Sequence, residues 1–149
     1  MFEWCYRSRV TTVIFGIAVA GSVASLSGQL GAGRFAVPLG VAVGMPILVA
    51  GSPTIDGEAY LAGTTGRERA VNAAVTVAAG GVAGALVTAA LSLVTGDPVP
   101  ALAGSVLAVL GGQGGFFYRN QEYIDVEQGA PAEDAPETVE TGDNDERAE

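Results

Sequence analysis

Four stretches of the chain carry no charged residue: 10–33, 35–55, 70–96 and 98–118. A helix needs about 20 predominantly apolar residues to cross a hydrocarbon core about 30 Å thick. The third stretch, with AVNAAVTVAAGGVAGALVTAALSLV, is apolar or small on every face, whereas a soluble helix would show a polar side. The fourth, PALAGSVLAVLGGQGGFFY, reads the same way, and the first weakens into serine and glycine in its second half. The second contains Pro38 and Pro46. Pro38 falls in a first helical turn, where its missing N–H has no partner in any case. Pro46 is predicted to kink its helix and to free the carbonyl of Ala42.

The pattern therefore predicts an all-α membrane protein with four transmembrane helices over about 10–28, 35–51, 70–94 and 100–118, forming a domain 1–119. The connections SGQLGAG and TGDPVP are short, which places consecutive helices side by side in two antiparallel hairpins. Only the middle loop, 52–69, has any size, and it reads as a solvated loop with interfacial salt bridges. An alternative for the start of the chain is a signal peptide, with MFEWCYRSR leading an apolar run into Ala18, Ala20 and Gly21; cleavage would leave three crossings.

Charge alters this picture at the end of the chain. Through Arg119 there are six arginines against five acids, but 120–149 carries eleven acids against Arg147. The net charge of -9 belongs to that stretch, which has too few apolar residues to offset the entropy of ordering and is expected to be a disordered acidic tail. An acidic balance also excludes nucleic acid as a partner. Cytoplasmic flanks hold the excess of basic residues. With the N-terminus inside, Arg7, Arg9, Arg67, Arg69 and Arg119 are cytoplasmic and Arg34 alone is outside, so the tail is expected in the cytoplasm as well.

Composition excludes chemistry more firmly than it suggests any. The chain has no lysine and no histidine, and Cys5 is its single cysteine. Schiff bases, histidine general bases, histidine or cysteine metal clusters and an internal disulfide are all removed. No catalytic residues, metal ligands or cofactor are therefore expected, and the chain reads as a non-enzyme. Lysine-free, acid-rich, Ala/Gly/Val-rich chains resemble in composition the proteins of salt-loving archaea, where molar salt shortens the Debye length to about 3 Å and dense carboxylates coexist. The acids of the middle loop, Asp56 and Glu58, are too few for a cation site made by protein alone. No acid lies within the apolar stretches, although proton-coupled carriers generally need one; the small four-helix drug exporters are similar in size but depend on a glutamate in their first helix.

What remains is packing. Small residues four apart recur on every predicted helix: Ala20 and Ala24, Gly40 and Gly44, Gly80 and Gly84, Gly111 and Gly115. Lipid supplies no hydrophobic force between helices, so close backbone approach at small residues is what pairs them. The strip of Gly80 and Gly84, with Ala73, Val77 and Val87 nearby, is expected to make the closest helix contact. Gln113, between two glycine pairs, is a candidate polar intramembrane site, either a substrate contact or an interhelical hydrogen bond. Phe116, Phe117 and Tyr118 are expected to form an interfacial aromatic belt, with Arg119 as anchor, and Phe2, Trp4 and Tyr6 are expected to do the same at the N-terminus. The expected partners are the lipid bilayer and copies of the chain or a larger membrane complex. The leading expectation is a scaffold or accessory subunit, the alternative a passive pore or small-solute transport component.

The arginine asymmetry makes a topological prediction. Single cysteines at Asp97 and Glu140, in a Cys5→Ser background, should react with a membrane-impermeant reagent from outside at 97 and from the cytoplasmic side alone at 140.

Overall fold

The computed structural model describes residues 9–124, and most of each apolar stretch is helical. Helix α1 is Arg9–Gln29, α2 Ala36–Ala50, α3 the short Gly57–Gly63, α4 Gly66–Leu91 and α5 Val99–Arg119. Four of them are long and apolar enough to cross a membrane, counting α2 together with the 3-10 turn Gly33–Phe35 that precedes it. That turn matters for reach: 15 residues of α-helix rise only about 22 Å, and three residues of 3-10 helix add about 6 Å toward a core of about 30 Å. The N-terminal aromatics Phe2, Trp4 and Tyr6, and the acidic tail from 125 onward, lie outside the described residues.

Local sequence fixes the helix ends. Gly31, at φ 88°, takes the left-handed conformation that ends α1; its N–H donates to the Gly28 carbonyl at 3.1 Å, and Ala32 N–H donates to Ser27 at 2.9 Å. At the start of α4, the Thr65 hydroxyl accepts from Glu68 N–H at 3.3 Å while the Glu68 carboxylate accepts from Thr65 N–H at 2.7 Å. This reciprocal cap lets α4 begin ahead of its charge-free stretch, so Arg67 and Arg69 stand on its first turns. The middle loop is correspondingly more structured than its polarity implies. Asp56 caps α3, its Oδ1 accepting from the N–H groups of Glu58 and Ala59 at 3.1 and 3.0 Å, so this carboxylate is engaged in a helix cap. Among the described residues the ion pair is elsewhere, between Arg34 and Asp97 at 3.9 Å, joining the turn after α1 to the turn before α5.

The helices form two antiparallel pairs, α1 with α2 and α4 with α5. Contacts of Gly44 with Ala20 and of Gly40 with Ala24 register the first pair; Gly80 with Ala108 and Gly84 with Gly104 register the second. Helix α2 also packs against both α4 and α5, through Pro38 against Gly84 and Gly104 and Met45 against Gly112. Pro38 sits within the first turn and Pro46 lies inside a helix that continues to Ala50. Helix α1 packs mainly along α2 and the 3-10 turn before it, and its buried residues are Thr12 and Gly16.

The inner faces of α4 and α5 repeat every four residues. On α4 the buried residues are Asn72, Thr76, Gly80, Gly84 and Thr88; on α5 they are Pro100, Gly104, Ala108, Gly112 and Phe116. Ridges of i±4 residues interdigitate when their side chains are small, which is the geometry of close helix pairs in lipid. The buried companions of Gly80 and Gly84 are thus Thr76, Asn72 and Thr88, whereas Ala73, Val77 and Val87 sit half-buried on the flanks. The outer surface is apolar, with Ile14, Ile17, Leu26, Val82, Leu86, Leu102 and Leu110 among its exposed residues.

A side chain at 84 has no room. A Cβ there would stand 2.8 Å from the Gly104 carbonyl oxygen and 3.0 Å from the Ala108 methyl. Gly84→Leu should destabilise the bundle by roughly 1 to 3 kcal/mol through overpacking. Val82→Leu, at a position 60% exposed, should be nearly silent. Unfolding of both variants in detergent checks the contrast.

Candidate functional site

Each small residue singled out for packing lies at a helix contact. A Cβ on Gly40 would collide with the Ala20 carbonyl, and one on Gly44 would lie 2.8 Å from the Ala20 methyl. On Gly80 it would lie 2.6 Å from the Ala108 carbonyl, on Gly111 2.8 Å from the Ala79 carbonyl, and on Gly115 2.9 Å from the Ala79 methyl. Backbone therefore touches backbone along both hairpins. Thr88 adds a polar tie, its hydroxyl donating to Gly84 at 2.8 Å within α4 and to Pro100 at 3.3 Å across to α5.

The largest concentration of polar chemistry lies where α3 meets the ends of α4 and α5. Asn72 is buried at its centre and uses its whole carboxamide. Its Nδ2 donates to Asn120 Oδ1 at 2.7 Å and to the Tyr60 hydroxyl at 3.3 Å, and its Oδ1 accepts from Arg119 Nε at 2.9 Å. The Asn120 side chain in turn donates to the Phe116 carbonyl at 2.8 Å, which also accepts the Asn120 backbone N–H at 3.1 Å in the last turn of α5. The aromatic rings close over this network: Tyr60 lies 5.6 Å from Phe116 and 5.4 Å, edge to face, from Tyr123. Asp56 N–H donates to the Tyr123 carbonyl at 3.0 Å, and Ile55 pairs with Ile124 as an isolated antiparallel bridge.

Residues 120–124, expected to open a disordered tail, thus belong to the folded part. The apolar side chains of Tyr123 and Ile124 return over α3, and Asn120 is held by two helices. The aromatic belt is also redistributed. Phe116 is buried against Tyr60, Phe117 packs on Phe116 at 6.4 Å, and Tyr118 alone of the three is largely exposed. Asn72, Tyr60 and Asn120 escape a reading of periodicity because each is a lone polar or aromatic residue; the one available signal is that Asn72 stands in register with the Thr76, Gly80, Gly84 stripe.

Electrostatics at this end are mild. The backbone N–H of Thr65 first, then its hydroxyl, hold the Glu68 carboxyl below its ordinary range. Its folded value is depressed, so the contribution of this cap to stability is present above the usual carboxylate range and is lost as pH falls through the folded value. A hydrogen bond with Glu122, then desolvation and the charges of Glu122 and Glu68, raise the Tyr123 phenol. The cluster contains amides, phenols and a guanidinium, and no carboxylate contacts Asn72. It ties three chain segments together.

Gln113 stands apart from it. The residue is half-buried on the flank of α5, between Val109 and Phe117 one turn to either side, and its carboxamide makes no hydrogen bond within the described residues. Ser105 donates to the Ala101 carbonyl of its own helix at 2.7 Å. Every buried side-chain nitrogen and oxygen among the described residues has a partner. Comparison with known protein-family models, curated proteins and solved structures finds no match.

Removing the Asn72 carboxamide would strand Tyr60, Asn120 and Arg119 at once. Asn72→Ala is expected to cost about 1 to 3 kcal/mol, the penalty for unsatisfied buried polar groups. Ser105→Ala should stay within about 0.5 kcal/mol. Unfolding of the two variants in detergent tests the difference.

Proposed function

We propose that the protein is a four-crossing membrane scaffold or accessory subunit without catalytic activity, with both termini in the cytoplasm. The observation that supports this reading is the filled interior. Glycine and alanine bring α4 onto α5 and α2 onto both, Met45 and Pro38 fill the spaces between them, and the buried polar side chains are consumed by contacts within the chain. A pore needs polar groups left over to replace the hydration of what passes. Ser105 gives its hydroxyl to its own helix, and Gln113 lies on the flank. An enzyme needs a positioned acid, base or nucleophile, and the polar cluster around Asn72 offers amides.

The cytoplasmic placement rests on Arg67, Arg69 and Arg119 sharing the end of the bundle that carries α3, while Arg34 is engaged with Asp97 at the other. Under this reading the Asn72 cluster and Ile124, the last of the described residues, face the cytoplasm.

The test is permeability. Purified protein in sealed lipid vesicles should leave the leakage of small ions and neutral solutes at the level of protein-free vesicles. Leakage that rises with protein content and falls on Gln113→Leu would overturn the scaffold reading in favour of a pore.

A further inference from the structure

The outward face of α5 carries a second pattern, different in period from the buried one. Val99, Ala103, Val106, Leu110, Gln113 and Phe117 are spaced alternately four and three residues apart, the 3.5-residue repeat of a helix seam. Along this seam Val99 is 48% exposed, Val106 57% and Leu110 56%, while Ala103, Gln113 and Phe117 are half-buried at its edges, Phe117 resting on Phe116. The inner stripe, by contrast, has a strict period of four and is covered by α4 and α2.

Gln113 decides what covers the seam. Its carboxamide can make up to four hydrogen bonds, makes none within the described residues, and sits six residues, about 9 Å along the helix, from Arg119 at the end of α5. Hydrocarbon offers no hydrogen-bond partner at that depth, so an apolar occupant leaves the amide unsatisfied. We propose that the seam docks a second copy of this chain, α5 against α5, with the two Gln113 carboxamides hydrogen-bonded to each other. The inference rests on the membrane-scaffold reading above.

Symmetry makes the pairing specific. Two copies with the same orientation in a bilayer are related by a two-fold axis along the membrane normal, so their α5 helices run parallel and every seam residue meets its own equivalent at the same depth. Few polar side chains are self-complementary in that position; a carboxamide is, because each donates its N–H to the other's oxygen. A single polar residue in an otherwise apolar seam also fixes register. Leu110 and Phe117, one turn to either side, would meet their equivalents above and below the amides.

The experiment uses the full chain in membranes, in a Cys5→Ser background. Leu110→Cys keeps Gln113 and should give a covalent dimer on mild oxidation, while Val82→Cys, on the exposed face of α4, should not. In detergent, Gln113→Leu should weaken self-association about 3- to 20-fold, the range of interhelical hydrogen bonds in membrane proteins, with helicity by circular dichroism unchanged. Cross-linking at 82 in place of 110 would overturn this interface while leaving the scaffold reading intact. A monomer at all protein concentrations, or a dimer indifferent to Gln113→Leu, would overturn the inference too. The vesicle leakage assay judges the scaffold reading separately.

Discussion

The structure depends on how closely α4 and α5 can approach. Their facing stripes place glycine, alanine and threonine at every fourth position, so that carbonyl oxygens of one helix lie where a Cβ of the other would be. In water such a surface would contribute little, because it buries few apolar atoms. In lipid, where side chains gain nothing by leaving an apolar solvent, dispersion between closely apposed backbones and short polar ties such as Thr88 to Pro100 become the main source of association. Helix α2 then docks on this pair with the bulkier Pro38 and Met45, and α1 rests on α2 through Ala20 and Ala24. The order of dependence runs from the α4–α5 pair outward, and α1, with little buried, is the least constrained member.

Where the helices end, the character of the stabilisation changes. The glycine stripes terminate at Asn72 and Asn120, and there a fully satisfied polar network takes over, sealed by Tyr60, Phe116 and Tyr123. A network of this kind is stabilising because each member is satisfied; deleting one strands several. It also explains why the connection between α2 and α4 is folded down as α3 and not left in solvent: Tyr60 supplies both a ring for Phe116 and a hydroxyl for Asn72.

The two faces of α5 illustrate how one helix serves two environments. Its inner face is matched to small partners within the chain, and its outer face presents larger apolar residues together with one unsatisfied amide.

The number and order of the long helices were determined by sequence alone, because each is a charge-free apolar run and no tertiary contact is needed to make such a run helical in a bilayer. That Gly40 and Gly44, Gly80 and Gly84, and Gly111 and Gly115 share faces follows in the same way, because a spacing of four places residues on one face whatever that face meets. Tertiary structure decided which residues complete each face. Asn72, Thr76 and Thr88 replace Ala73, Val77 and Val87 beside the α4 glycines, because a stripe of period four drifts around a helix of 3.6 residues per turn and is kept in contact only by the crossing of its partner. The polar cluster as a whole was not legible in sequence, since Tyr60 and Asn72 are separated by 48 residues or more from Asn120 and Tyr123 and meet them because two antiparallel hairpins return to the same end. Gln113 is the intermediate case: its identity marked it as unusual, but that it finds no partner inside the chain is a fact about the neighbours α5 has and the flank they leave open.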